Sequence, residues 1–204
     1  MKTDKEKMLA GEPYLAFCNE LVTERARAKE ILFEYNNLYP SEMEKRTEIL
    51  KHFLGATGKQ LLIEQPFRCD YGYNIRVGEN FYANMGCTIL DEALVTFGDN
   101  VLLAPNVSIY TAGHAVNVAQ RVAGWEYAYP VTVGHNVWIG GNVVILPGVS
   151  IGDNSIIGGG SVVTKDIPDN AIAVGNPCRV IRYITEEDRK YYFKDREFDV
   201  DDYK

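Results

Sequence analysis

The sequence predicts a mainly β protein that folds as a parallel β-helix of six-residue repeats, with a helical cap at its N-terminus and a short helix and tail at its C-terminus. Three observations support this prediction. An aliphatic residue recurs at every sixth position over a long stretch, glycine follows it in most of the clearest repeats, and both ends of the chain lack this period.

The repeat is clearest between positions 133 and 163. The recurring aliphatic residues are Val133, Ile139, Ile145, Ile151, Ile157 and Val163, and glycine follows four of them, at Gly134, Gly140, Gly152 and Gly158. Looser copies of the period occur earlier, at Phe97, Leu103 and Ile109, and at Tyr71, Val77, Ala83 and Ile89. Each unit is therefore predicted to be a short strand and a tight turn with one side chain directed inward.

A single unit of this kind cannot bury its own inward-facing side chain. Stacking coil on coil buries a continuous aliphatic column and pairs the backbone of each coil with the next, which is the principle of a β-helix. We assign the β-helix to residues 59–184, the N-terminal helical cap to residues 1–58, and a C-terminal helix and acidic tail to residues 185–204.

Both ends carry helix signals. Residues 14–38 mix apolar and charged positions, and Ser41 with Glu44 is predicted to form a capping box before a helix that stops at Gly55. Thr185 with Asp188 resembles the start of another helix. Caps of this kind are expected because an uncovered end of a β-helix is an open sheet edge.

The repeat is interrupted between Tyr110 and Thr132, and we predict that residues 111–132 form a loop extruded from the solenoid. Long loops of this kind are usually functional or disordered. This one contains His114, Trp125 and Glu126. This loop is therefore the first candidate region for catalytic residues.

Composition excludes several classes of protein. The chain has 204 residues, of which 46% are hydrophobic and 24% charged, as in an ordinary globular protein. The net charge of −7 argues against a nucleic-acid partner. No apolar run approaches the ~20 residues that cross a bilayer, and the N-terminus lacks the apolar stretch of a signal peptide, so we expect a cytoplasmic protein without a membrane partner.

The cysteines give no metal or disulfide signal. Cys18, Cys69, Cys87 and Cys178 are far apart, without a CxxC pair, and we expect them to be reduced and mostly buried. No metal requirement is expected.

Several segments together resemble one family. They are FRCDYGYNI (67–75), NFYAN (80–84), GDN (98–100), LAPNV (103–107), NVWIGG (136–141), PGVSIGDN (147–154), VVTKDIP (162–168) and GNPCRVIR (175–182). In this order they resemble the hexapeptide-repeat acyltransferases, and among those the maltose and galactoside O-acetyltransferases. The resemblance covers nearly the whole chain.

The resemblance implies a left-handed β-helix and a homotrimer in which the extruded loop of one subunit reaches its neighbour. It also implies acetyl-CoA as co-substrate, a small sugar as acceptor, and direct transfer with His114 as general base. General chemistry supports that choice, because a sugar hydroxyl needs a base that titrates near neutrality. The other histidines are less suited, since His52 lies in a polar helical segment and His135 at a repeat turn.

The family pattern assigns further roles. Glu126 would hold the imidazole of His114 in the tautomer that accepts a proton. The positions that match the sugar pocket are Asp70, Tyr82, Asn84, Asp91 and Glu92. Those that match contacts to coenzyme A are Trp138, Gly141, Gly159, Thr164, Lys165, Arg179 and Arg182.

The sequence also departs from the family pattern. Gly141 replaces a serine, and Ala16 an acid, of the galactoside type, and both departures argue against a galactoside acceptor. The segment FRCDYGYNI favours a maltose or glucose acceptor. Without the serine hydroxyl, oxyanion stabilisation falls to backbone N–H groups. Two alternatives are less favoured. A γ-type carbonic anhydrase needs a histidine cluster that the spacing does not provide, and a non-catalytic scaffold would not explain His114 together with the donor-side residues.

Overall fold

The computed structural model describes residues 1–198. The end of the predicted acidic tail, residues 199–204, lies outside the described residues. The helices are α1 (Asp4–Leu9), α2 (Asn19–Asn37), α3 (Met43–Phe53) and α4 (Val118–Val122), and a 3₁₀ turn spans Glu186–Arg189.

The strands are short and follow one another at close intervals. They are β1 (Tyr14–Leu15), β2 (Leu61–Ile63), β3 (Arg68–Cys69), β4 (Ile75–Arg76), β5 (Phe81–Ala83), β6 (Thr88–Leu90), β7 (Val95–Phe97), β8 (Leu102–Leu103), β9 (Ser108–Tyr110), β10 (Ala112–His114), β11 (Trp125–Ala128), β12 (Val131–Val133), β13 (Trp138–Ile139), β14 (Val144–Ile145), β15 (Ser150–Ile151), β16 (Ile156–Ile157), β17 (Val162–Val163), β18 (Ala171–Val174), β19 (Arg179–Tyr183), β20 (Tyr191–Phe193) and β21 (Arg196–Glu197).

Three sheets form the walls of the solenoid. Their strand orders are β4-β7-β12-β15, β2-β5-β8-β13-β16-β18-β19, and β3-β6-β9-β14-β17, so successive strands of the chain alternate between sheets. Strand β12 pairs in parallel with β7 below and β15 above, with Val133 opposite Phe97 and Ile151. The predicted parallel β-helix is confirmed.

The repeated aliphatic residues form the core. Between positions 133 and 163 each of the six predicted inward side chains is at most 2% exposed. One assignment in the looser, N-terminal part of the repeat is wrong. Tyr71 is not in this column, because Cys69 pairs with Ile89 in its place, and Tyr71 instead packs in a second cluster with Met8 and Tyr14.

The N-terminal cap is helical but differs in detail from the prediction. Residues 14–18 are not helical, since β1 pairs with β11 and α2 begins only at Asn19. The capping box of Ser41 with Glu44 is also wrong. Helix α3 starts at Met43, because Glu42 closes a turn with Tyr39 by accepting its backbone N–H at 2.9 Å.

The C-terminal end of the β-helix is covered by antiparallel strands. Strand β19 folds back on β18, so residues 179–183 leave the parallel coil that we expected to continue to residue 184. The predicted helix start is confirmed, because Asp188 accepts the backbone N–H of Thr185 at 2.8 Å, but the helix is a single 3₁₀ turn followed by the β20–β21 hairpin.

Within residues 1–198, none of the helices has the length and apolar character needed to cross a bilayer.

Candidate active site

The extruded loop leaves the solenoid at one particular edge, which we call the loop corner. It is the corner between the β3-β6-β9-β14-β17 sheet and the β4-β7-β12-β15 sheet, where earlier coils pass through residues 70–74 and 91–94. The next coil replaces this short connection with residues 111–130. Side chains that the sequence separates by tens of positions are therefore brought to the same edge.

The loop is itself structured. Strands β10 and β11 form an antiparallel pair, with α4 between them in sequence, and His114 lies opposite Glu126. Gly113 lies opposite Tyr127, and a Cβ at position 113 would come within 2.6 Å of the Tyr127 ring. A glycine therefore lets Tyr127 pack across the hairpin beside the histidine.

His114 and Glu126 face each other across the hairpin. The Nε2 atom of His114 lies 4.0 Å from Oε1 of Glu126. The imidazole is 56% exposed and the carboxylate only 15% exposed. A proton acceptor is thus presented to the surface, with a more sheltered carboxylate directly behind it.

The second oxygen of Glu126 is held from the N-terminal segment. Tyr14 donates its phenolic O–H to Oε2 of Glu126 at 2.9 Å, and its side chain is fully buried. Tyr14 could not be identified from the sequence, because the contact depends on a two-residue strand in a segment predicted to be helical. It is the clearest omission of the sequence-based site.

Asp91, a predicted sugar ligand, is a structural group in this chain. Its side chain is fully buried and accepts the backbone N–H groups of Asp70, Tyr71 and Gly72 at 3.0, 2.8 and 2.7 Å. Burial raises the pKa of Asp91 to about 6, although the three N–H groups favour the charged form. Because both oxygens are engaged, the geometry does not support sugar binding by Asp91.

Glu92 and Asp70 remain together at the loop corner. Glu92 is 5% exposed, and Oε2 lies 3.3 Å from the hydroxyl of Thr111, the first residue of the loop. Burial raises the pKa of Glu92 well above its usual range, and the hydrogen bond with Asp70 raises it further. This carboxyl is therefore favoured in its protonated form, in which it can donate a hydrogen bond.

The other predicted sugar residues lie elsewhere. Tyr82 is in β5, on the sheet that does not adjoin the loop corner. Asn84 lies between β5 and β6, at the edge of the β3-β6-β9-β14-β17 sheet that is farther from the loop corner. Asn84 Oδ1 accepts the backbone N–H of Met85 at 2.8 Å. Within one chain, Asn84 therefore does not lie beside His114.

Two of the predicted donor-site glycines share the corner of Asn84. Gly141 follows β13 and Gly159 follows β16 one coil later. A Cβ at position 159 would lie 3.1 Å from the carbonyl oxygen of Gly141, so the two backbones are closely stacked. Trp138 lies next to them in β13 with 52% of its surface exposed.

The remaining predicted donor residues are more widely spread. Thr164 and Lys165 follow β17 near the C-terminal end of the solenoid, and Arg179 and Arg182 lie in β19. Arg182 donates two hydrogen bonds to the carboxylate of Asp188, at 2.7 and 2.9 Å. The guanidinium that we expect to meet a phosphate therefore already has an anionic partner.

The other histidines have backbone partners outside the loop. His52 Nδ1 lies 2.8 Å from the carbonyl oxygen of Glu48, and His135 Nδ1 accepts the backbone N–H of Asp99. All four cysteines are free, and all but Cys18 are buried. In residues 1–198 there is no group of three or more His, Cys, Asp and Glu side chains arranged to hold a metal ion.

Comparison with known proteins places this geometry in a family. The galactoside O-acetyltransferase of Escherichia coli K12 is 50% identical over 190 residues, which is 93% of this chain and 94% of that enzyme. The chain belongs to the hexapeptide-repeat acetyltransferases. The family model of the "Maltose acetyltransferase hexapeptide capping motif" matches residues 7–58, and that of the "Bacterial transferase hexapeptide (six repeats)" matches residues 130–165. The predicted family and the prediction of an O-acetyltransferase are confirmed.

Solved structures agree with this placement. A galactoside acetyltransferase in complex with coenzyme A superposes with a TM-score of 0.94 at 48% identity, covering 98% of this chain and all of that one. A maltose O-acetyltransferase from Clostridium difficile 630 gives a TM-score of 0.89 at 56% identity, covering 91% of this chain and 99% of the other. Related acetyltransferases have been solved with coenzyme A or acetyl-CoA bound, and the chain is an acetyl-CoA-dependent O-acetyltransferase.

Proposed function

We propose that the chain transfers the acetyl group of acetyl-CoA to a hydroxyl of a small sugar, with His114 as the general base. The observation that carries this proposal is the pairing of an exposed imidazole with a sheltered carboxylate, His114 with Glu126, at the tip side of the extruded hairpin. An imidazole near neutral pH exists substantially in its neutral form, which accepts a proton.

His114 can account for both proton transfers of the reaction, from the sugar hydroxyl and to the thiolate leaving group. The sugar oxygen attacks the acetyl carbonyl carbon while His114 accepts the hydroxyl proton. The C–S bond then breaks, and the imidazolium returns the proton to the departing thiolate. Glu126 stabilises the imidazolium and favours the tautomer in which the nitrogen facing it holds the proton, leaving the other nitrogen free to accept.

A direct transfer also agrees with the state of the cysteines. An acetyl-enzyme intermediate would need an activated, accessible nucleophile. Burial raises the pKa of Cys69 and of Cys87, which favours the unreactive thiol. Neither residue belongs to the loop.

The complete site is proposed to form between subunits of a homotrimer. His114, Glu126, Asp70 and Glu92 lie at the loop corner, whereas Asn84, Gly141 and Gly159 lie at the other end of the same sheet. A neighbouring copy that offers its second corner to the loop corner would join the two sets. The exposed ring of Trp138 and the exposed Leu102 beside it favour such an interface.

The acceptor is proposed to be of the maltose or glucose type. The hydroxyl of the galactoside-type serine is missing at Gly141, and the acidic side chain is missing at Ala16, which is 4% exposed. Sugars of this size differ in the orientation of single hydroxyls, so a panel is needed to identify the preferred one.

The test is a thiol-release assay with acetyl-CoA and a panel of glucose, maltose, galactosides and simple alcohols. We expect turnover with the glucose or maltose group, and a kcat about 10² to 10⁴ lower in His114→Ala. His135→Ala is the matched control, because that imidazole lies at a repeat turn. A His114→Ala enzyme within about fivefold of the parent would refute the base assignment.

A further inference from the structure

The contact between Tyr14 and Glu126 joins the N-terminal cap to the loop. Strand β1 pairs with β11 so that Tyr14 lies directly opposite Glu126 and Leu15 opposite Trp125. The Tyr14 hydroxyl donates to Oε2 at 2.9 Å. The cap therefore does more than cover the first coil, because it contacts the carboxylate behind the histidine.

The ring of Tyr14 is fixed by its own hydrophobic cluster. Its neighbours there are buried side chains from the cap, the loop corner and the loop base, namely Met8, Ala16, Leu21, Tyr71, Ala93 and Ala128. A fully buried ring in such a cluster has little freedom to move its hydroxyl. The donor is thus held in place independently of Glu126.

The two oxygens of Glu126 have separate partners. Oε2 accepts from Tyr14 at 2.9 Å, and Oε1 lies 4.0 Å from His114 Nε2. With one oxygen fixed, rotation of the carboxylate is restricted and the second oxygen stays directed at the imidazole. We infer that Tyr14 is a positioning residue that acts through Glu126 to orient His114.

The hydroxyl is suited to this task over the working pH range. Burial, followed by the charge of Glu126, raises the pKa of Tyr14, so the phenol remains a donor. The nearby cations have other partners, since Arg25 donates to the Tyr71 hydroxyl at 2.6 Å and Lys5 pairs with Glu24. The ionisable side chains whose charges raise the pKa of Tyr14 are Glu126, Glu92 and Tyr71, two of them acids.

This inference rests on the proposed function, and two readouts keep them separate. The first is a kinetic cycle of Tyr14→Phe, Glu126→Gln and the double variant, with Tyr129→Phe as control because that ring is half exposed at the loop base. We expect Tyr14→Phe to lower kcat about 5- to 30-fold at an unchanged Michaelis constant for acetyl-CoA, and to add nothing in the Glu126→Gln background. Equal losses in both backgrounds, or a loss below twofold, would overturn the inference.

The second readout needs no turnover. Nitrogen-15 NMR of the His114 ring, assigned with His114→Ala, reports which nitrogen carries the proton. We expect Tyr14→Phe to shift the His114 tautomer signals toward those of Glu126→Gln, with the Tyr129→Phe spectrum equal to that of the parent. If no sugar is acetylated but these signals shift, the proposed function fails and the positioning role stands; unshifted signals refute the positioning role itself.

Discussion

The carboxylate of Asp91 lies under the backbone of Tyr71 and accepts its N–H at 2.8 Å, one coil away in the solenoid. The same carboxylate accepts two more backbone N–H groups from the preceding coil. Asp91, which the family pattern assigns to the sugar pocket, therefore stabilises the backbone of residues 70–72 beside that pocket.

Asp91→Asn is expected to lower the free energy of unfolding by about 2 to 4 kcal/mol, because one acceptor oxygen becomes an N–H₂ group facing the N–H of Gly72. Urea unfolding at pH 7 measures this. The control is Asp153→Asn, a partly exposed aspartate whose Oδ1 accepts the N–H of His135 and keeps its acceptor as asparagine. A similar small loss in both variants would contradict the structural role of Asp91.

Glu92 is expected to make stability depend on pH. Its pKa is raised in the folded protein, so the stability that it contributes is complete below the usual glutamate pKa of about 4.3 and is lost as the pH rises toward the raised value. Glu92→Gln stays neutral and avoids this loss. The variant should unfold like the parent near pH 4 and be more stable by about 1 to 3 kcal/mol at pH 9.

Urea unfolding at pH 4, 7 and 9 tests the sign of this effect. Glu79→Gln is the control, because Glu79 accepts the backbone N–H groups of Lys59 and Gln60 and its pKa is lowered. Its difference from the parent should not grow between pH 7 and pH 9. A Glu92→Gln variant that loses stability toward pH 9 would show that the carboxyl is charged in the folded state.

The sequence was sufficient for the solenoid because the inward position of every repeat faces the same physical requirement. Ile139, Ile145 and Ile151 each supply the inward side chain of one repeat, so the period can be recognised from the sequence without the structure. The same reasoning failed where the coil is two residues longer. Between Cys69 and Val77 the chain turns the loop corner through extra residues, and Tyr71 consequently leaves the column.

The site was only partly predictable for a related reason. The loop that carries His114 and Glu126 could be found because a long insertion in a regular repeat is conspicuous, and the resemblance to the family indicated these two residues within it. Tyr14 could not, since its role arises from a strand of two residues that forms only when the loop is present as a partner. The burial of Asp91 was also invisible, because an acidic pair at a turn has the same sequence whether it faces solvent or the backbone below.

A homotrimer is expected, and light scattering at micromolar concentration should give about three times the chain mass of 22.9 kDa. A sharper test mixes two inactive variants. If His114 of one copy works with Asn84 of the next, refolding His114→Ala with Asn84→Ala at equal amounts should restore about a quarter of the parental sites. Neither variant refolded alone should recover. No recovery from the mixture, with trimers formed, would place the whole site within one chain.

The donor site is expected to depend on Arg182, whose guanidinium is bound by Asp188 in the free protein. The Arg182 side chain is 50% exposed and that of Asp188 32% exposed, so water screens this pair, it contributes little, and a phosphate can displace the carboxylate at small cost. Arg182→Ala should raise the Michaelis constant for acetyl-CoA by roughly 10- to 100-fold, as expected for loss of a charge-assisted hydrogen bond. Asp188→Asn should lower that constant by no more than about fivefold.

Lys165→Ala should raise the Michaelis constant for acetyl-CoA if this residue is the second phosphate contact. Acetyl-dephospho-CoA identifies which cation meets the 3′-phosphate. Lys45→Ala, at the far cap, is the control. Unchanged constants in both the Arg182 and Lys165 variants would mean that the donor phosphates bind elsewhere, whereas a higher constant in Asp188→Asn would mean that Asp188 orders Arg182 for the phosphate instead of competing with it.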